Sequence, residues 1–173
     1  AADGHKWMLG PEGLALFYCR QPLIETLKIN QYGWHMVEAM GDFDRHDWSP
    51  AKSARRFECG SPNTLGIHAL HASLSLLLEI GIDEVFAGIQ SNTQYIIDKL
   101  QDKTDILSPL ASERRSGIVT VRPDDQDIAA RYRHLQASNV ICAMRGGGIR
   151  FSPHYYTQQV QLDKALLHLL EPL

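Results

Sequence analysis

Asp3-Gly4-His5-Lys6 runs into Trp7-Met8-Leu9-Gly10-Pro11-Glu12-Gly13 and then into the apolar run Leu14-Ala15-Leu16-Phe17-Tyr18. The pattern sets one lysine in a tight, glycine-flanked turn just before a segment whose length and makeup predict a buried strand. A lysine at a strand edge, beside a histidine and an aspartate, suits a Schiff-base amine. The competing reading is an exposed loop lysine paired with Asp3 or Glu12.

Two further segments stand out. One is Arg56-Phe57-Glu58-Cys59-Gly60-Ser61-Pro62-Asn63-Thr64-Leu65-Gly66-Ile67, and the other is Arg145-Gly146-Gly147-Gly148-Ile149-Arg150-Phe151-Ser152-Pro153-His154-Tyr155-Tyr156. In the second, Ile149 and Phe151 alternate with Arg150 and Ser152, which puts Arg150 on the polar face of a half-buried strand. A planar guanidinium is the usual bidentate partner of a carboxylate, and lysine replaces it poorly.

Composition narrows the classes. The 173 residues can bury a real core, and 44% hydrophobic with 21% charged residues is ordinary for a soluble globular protein. A net charge of −3 gives no electrostatic case for nucleic acid or an anionic membrane. The most apolar stretch, Ala69 to Ile80, is interrupted by His71, Ser73, Ser75 and Glu79, so no membrane span is expected. Cys19, Cys59 and Cys142 lack metal-like spacing, and an odd count argues against a disulfide framework. A cytoplasmic setting is the default, no metal site is expected, and Cys19 and Cys142 read as small core residues.

Along the chain, Pro22 starts a short helix over Leu23 to Ile29, and Gln31 to Ser49 is irregular around Gly33, Gly41 and Asp42-Phe43-Asp44. Ser61, with Pro62 behind it, is expected to cap a helix that runs to Ile80 and stops at Gly81. Asp83 is expected to cap the next helix. There Val85, Phe86, Ile89, Thr93, Ile96, Ile97 and Leu100 form one buried stripe. Ile118 to Val121 reads as a strand, Asp125 as the cap of a helix through Ile128, Tyr132 and Leu135, and Val140–Met144 and Gly148–Ser152 as two strands. Thr157 is expected to cap a final helix carrying Leu162, Leu166 and Leu169. From about Asp105 this order predicts a small α+β domain, an antiparallel sheet covered by helices on one face.

The three quoted segments, in this order, resemble the motifs of the class V aminotransferases. This pyridoxal-phosphate family includes cysteine desulfurases, selenocysteine lyases, kynureninases and isopenicillin-epimerase-like enzymes. The second segment resembles a stretch of the form R-F-E-x-G-T-P-N, with Ser61 where threonine is more usual. The third resembles R-x-G-x-I-R-x-S-P-H-x-Y. The resemblance implies an α/β fold, the C-terminal part of a pyridoxal-phosphate transferase. Residues 1–60 would be the tail of the cofactor-binding domain, 61–104 linking helices and 105–173 the small α+β domain. It also implies that the chain is part of a longer enzyme, because much of the family's cofactor domain precedes the lysine motif.

By the same resemblance, Lys6 forms the internal aldimine with pyridoxal 5'-phosphate and then acts as base on the substrate α-proton. His5 binds the cofactor phosphate, and Gly60 and Ser61 reach the phosphate of a partner subunit, which implies a homodimer with shared active sites. Arg150 binds the α-carboxylate of an amino-acid substrate. Asp3 stands where relatives often have serine; an ionised carboxylate cannot donate to phosphate, so Asp3 reads as structural. His154 and Tyr155 read as packing or supporting hydrogen bonds. Desulfurases carry sulfur on a cysteine in a long mobile loop, whereas Cys142 lies only eight residues before Arg150 in an apolar run. A buried thiol is a poor nucleophile, which favours transamination, epimerisation or a lyase reaction over desulfuration. A catalytically incomplete dimerisation module is the alternative from another class.

Overall fold

The structure is a computed structural model that describes residues 1–124 and 127–173. The chain divides into two compact units, Ala1–Glu79 and Ile80–Leu173.

In the first unit the lysine turn is closed by its own backbone. Strand β1 (Ala2–Asp3) pairs antiparallel with β2 (Ala15–Leu16), Gly4 N donates to Leu14 O at 3.0 Å, and Gly10 N donates to Gly4 O at 2.8 Å. A Cβ on Gly10 would lie 2.6 Å from Leu70 Cδ1 and 2.9 Å from Gly4 O, so the turn tightens onto the following helix only because this residue has none. The apolar run is not a buried strand. Only Ala15 and Leu16 find strand partners, and Phe17 and Tyr18 stand 52% and 81% exposed. The two-residue β1 gives the run nothing more to pair with, and periodicity carries no information about what packs on a strand.

Helix α1 spans Gln21–Ile24, with Pro22 in its first turn as expected, but ends well before Ile29. Thr26 stops it: its N–H and its hydroxyl both donate to Leu23 O, at 3.1 and 3.0 Å. The irregular segment beyond is pinned rather than loose. Arg55 Nη1 donates to His35 O and Val37 O at 2.6 and 2.8 Å, and Ala51 N donates to Met36 O at 2.8 Å, leaving Met36 and Ala51 fully buried. Gly33 lies against the backbone of Cys59, where a Cβ would meet the carbonyl oxygen at 1.9 Å.

Helix α2 covers Thr64–Ile80, two residues shorter at its start than a Ser61 cap requires. Asn63 is the cap: its Oδ1 accepts from Gly66 N at 2.9 Å, while its Nδ2 donates to Gly13 O at 3.4 Å and ties the helix start to the lysine segment. Gly81, at φ +95°, ends α2 as expected.

In the second unit, α3 (Ile82–Leu100) starts from Gly81, whose carbonyl accepts from Val85 N at 3.0 Å; Asp83 sits inside the first turn and caps nothing. Its stripe is buried at Val85, Ile89, Thr93, Ile96, Ile97 and Leu100, but Phe86 is 56% exposed. A sheet follows in the order β3-β4-β6-β5, all antiparallel: β3 (Asp105–Ile106), β4 (Val119–Arg122), β5 (Ala143–Arg145) and β6 (Gly148–Phe151). Gly146 and Gly147, at φ +62° and +79°, supply the two left-handed residues of the β5–β6 hairpin.

Helix α4 (Ile128–Ala137) is capped by Asp127, whose Oδ1 accepts from Ala130 N at 2.9 Å; the expected cap Asp125 lies outside the described residues. The strand expected over Val140–Met144 starts only at Ala143, because Val140 finishes α4. Asn139 turns left-handed at φ +59°, and Val140 N donates back to Leu135 O at 2.9 Å. Helix α5 (Gln159–Leu170) begins with Gln158 N donating to Gln161 Oε1 at 2.9 Å. Thr157 instead closes the preceding turn, its hydroxyl accepting from His154 N. One core joins these pieces: Ile96, Leu100, Val121, Leu135, Ile149 and Leu169 are its centre, so the helices cover one face of the sheet. Among the described residues no single helix is long and apolar enough to cross a membrane.

Candidate active site

Lys6 and His5 sit side by side in the lysine turn, both exposed. The Lys6 ammonium is hydrogen-bonded to Asp3, three residues back, and that bond holds the Asp3 carboxyl below its ordinary value. Asp3 thus serves as the lysine's partner within the turn.

Gly60 and Ser61 lie ahead of α2, also exposed, on the wall of a groove of about 1050 Å³ within the first unit. Leu16, Phe17, Phe57, Ile67, Leu70 and Leu74 give this groove its apolar lining. His5 and Lys6 are not among its walls. The helix dipole begins at Thr64, and Asn63 Oδ1 already accepts from one of the first free amides, Gly66 N.

Arg150 stands at the centre of β6, opposite Thr120 of β4 and Ala143 of β5. Its neighbours Ile149 and Phe151 point into the core, and Arg150 is half-buried on the other face. Its Nε is buried and has no hydrogen-bond partner in the structure. A buried charged donor left open is costly unless an anion completes it, so the site fits a carboxylate. After β6, Asn92 Nδ2 donates to His154 O at 2.9 Å and to Thr157 O at 3.1 Å, and the rings of His154 and Tyr156 stack at 5.1 Å. His154 and Tyr155 thus pack and shape the strand end.

All three cysteines are free and partly buried, and of the two expected in the core Cys142 packs against its edge while Cys19 is not part of it. Cys142 lies just before β5, and burial pushes its thiol up from its ordinary value. Two structural residues went unread in the sequence, Asn63 and Arg55. The asparagine of the Ser-Pro-Asn run was visible as a capping type; nothing marked Arg55, whose role depends on carbonyls some twenty residues away.

The aminotransferase class-V family model matches residues 1–164. The chain belongs to that family. Among its relatives, the "Uncharacterized aminotransferase YcbU" of Bacillus subtilis is 30% identical over 96% of this chain. A "Probable cysteine desulfurase" of Streptomyces coelicolor is 29% identical over 99%. The chain spans about 43% of the length of each. The fold agrees with that of solved pyridoxal-phosphate enzymes and cysteine desulfurases. The apo cysteine desulfurase of Thermococcus onnurineus superposes with a TM-score of 0.82 at 18% identity, over 96% of this chain and 45% of that one. The lyase C-DES superposes with a TM-score of 0.85 at 20% identity, over 98% and 44%, in a lysine-to-alanine form with glycine covalently linked to its PLP cofactor. Pyridoxal phosphate, the cofactor implied by the motifs, is thus the one that this neighbour carries. The mixed helical and antiparallel architecture is that of the corresponding part of the pyridoxal-phosphate transferase fold.

Proposed function

We propose that this chain is the lysine- and arginine-bearing part of a pyridoxal-phosphate-dependent enzyme acting at the α-carbon of an amino acid. The observation that carries the reading is Arg150. It is the arginine that the motif resemblance assigns to the substrate carboxylate, and it lies on a half-buried strand face with a buried Nε that lacks a partner. The bound cofactor supplies the electron sink that acidifies the substrate α-proton. Lys6 would hold the cofactor and would then carry that proton on Nζ. To do so Nζ must part from Asp3 and give up its ammonium proton. His5 contacts the cofactor phosphate, and Gly60 and Ser61 contact the phosphate of a second subunit, in a homodimer with shared sites. Residues 1–60, 61–104 and 105–173 would be the tail of the cofactor domain, the linking helices and the small domain, in a cytoplasmic enzyme.

Transamination, epimerisation or a lyase reaction suits these residues. Desulfuration is the second reading, favoured by the name of the Streptomyces relative. Cys142 counts against it, because a thiol pushed up by burial is poorly ionised at neutral pH.

The test is a visible spectrum of the chain with added pyridoxal phosphate, before and after borohydride, with Lys6→Ala alongside. A dialysis-resistant yellow band that reduction fixes on Lys6 supports the reading. Its absence would make the isolated chain a catalytically incomplete dimerisation module. Sulfide release from cysteine by the loaded protein would favour the desulfurase.

A further inference from the structure

Away from the site described above, the C-terminal ends of α4 and α5 bring three ligating side chains together. His134 lies in the last turn of α4, His168 in the last turn of α5, and Glu171 directly after α5. Glu171 Oε2 is 3.2 Å from His134 Nε2 and 2.9 Å from His168 Nδ1, and the three donor atoms all lie within 4.8 Å of one another. We propose that His134, His168 and Glu171 form a divalent metal site, suited to zinc, that clamps the end of α5 to the end of α4.

The separations are close to what coordination demands. Tetrahedral zinc with nitrogen and oxygen ligands at about 2.0–2.1 Å sets its donors roughly 3.3 Å apart. Two of the three pairs are already at that spacing. The imidazole planes meet at 71° with centroids 5.9 Å apart, so the rings meet edge to face rather than stacking. Two imidazoles and one carboxylate suit zinc and leave a fourth position for water. His168 and Glu171, at i and i+3, share one face of the helix end, where the helix dipole favours a cation.

The frame behind the cluster is rigid. Arg131 is 4% exposed, and its Nη1 donates to His168 O at 3.2 Å and to Glu171 O at 2.6 Å. That contact sets the end of α5 against α4, while Leu135 and Leu169 are fully buried beside it. The Arg131 guanidinium opposes a metal ion by charge, but its Nη1 is directed at the His168 and Glu171 carbonyl oxygens rather than at the Glu171 carboxylate. Without metal, His134 Nε2–H and His168 Nδ1–H both donate to that one carboxylate oxygen. The ion takes the place of these N–H groups, each neutral imidazole binding in the tautomer that carries its proton on the other ring nitrogen.

Titration of the whole chain under reducing conditions with zinc chloride, followed by calorimetry, tests the site. One saturable equivalent is expected, with affinity at least tenfold weaker in His134→Gln and in Glu171→Gln and unchanged in the exposed control His46→Ala. Cobalt(II) loading is expected to give tetrahedral ligand-field bands without a thiolate charge-transfer band. Variants retaining wild-type circular dichroism keep the comparison free of unfolding. Absence of saturable binding, equal affinity in the variants, or a thiolate band from the cysteines would overturn the assignment.

Discussion

Gly33 shows how a single residue can be required by contact rather than by conformation. Its φ of −175° is open to any side chain, yet a Cβ would meet Cys59 O at 1.9 Å. Gly33→Ala must therefore push that backbone away, and it is expected to cost about 1–3 kcal/mol, read as a lower urea midpoint. An unchanged midpoint would mean that the two segments separate freely. At Cys142 the consequence is chemical. With its thiol pushed up by burial, the thiolate fraction near pH 8 is smaller in the folded chain than in the unfolded one. Burial here favours the neutral thiol, so that contribution to stability holds at low pH and fades as pH rises through the folded value. Alkylation of Cys142 by iodoacetamide, followed by peptide mass, should be slower in the native chain than in urea. Equal rates would contradict the desolvated environment.

At the scale of elements, caps decided where helices begin, and the chain often offered several candidates within three residues. Ser61 and Asn63 are both good caps; the Asn63 carboxamide won because it also reaches Gly13 O. Thr157 lost to Gln158 because its hydroxyl was already accepting from His154 N. Asp127 is the clearest cap, and Asp127→Ala should cost α4 about 1 kcal/mol, while Asp127→Asn should keep most of it. Thermal unfolding of both variants would separate the lost acceptor from the lost charge. The buried stripe of α3 was legible from periodicity except at Phe86, which falls at the edge of the stripe and faces out.

At the scale of the molecule, both units leave apolar residues in the open. The second encloses its own core, yet Ile141 and Val160 stand 96% and 67% exposed. The first leaves Phe17, Tyr18, Leu65 and Leu78 exposed, from 52% to 82%. Apolar surface of that kind drives association. Sedimentation velocity of the isolated chain is expected to show association rising with concentration, with dye binding to exposed apolar surface. A dye-silent monomer at all concentrations would show that this surface rearranges and buries itself.

Much of this protein was written in its sequence. The order of strands and helices after Asp105, the left-handed glycines of the β5–β6 hairpin, the end of α2 at Gly81 and the alternation that half-buries Arg150 all follow from local chemistry. The three family segments named the family and its cofactor chemistry before any coordinate was needed. What the tertiary structure alone decided depends on distant partners. It exposed the Leu14–Tyr18 run, paired Lys6 with Asp3 and left Arg150 Nε without a partner. It also gathered His134, His168 and Glu171 across two helices. Periodicity and capping rules report on neighbours three or four residues away. Burial, orphaned donors and converging ligands are set by what the rest of the chain brings alongside.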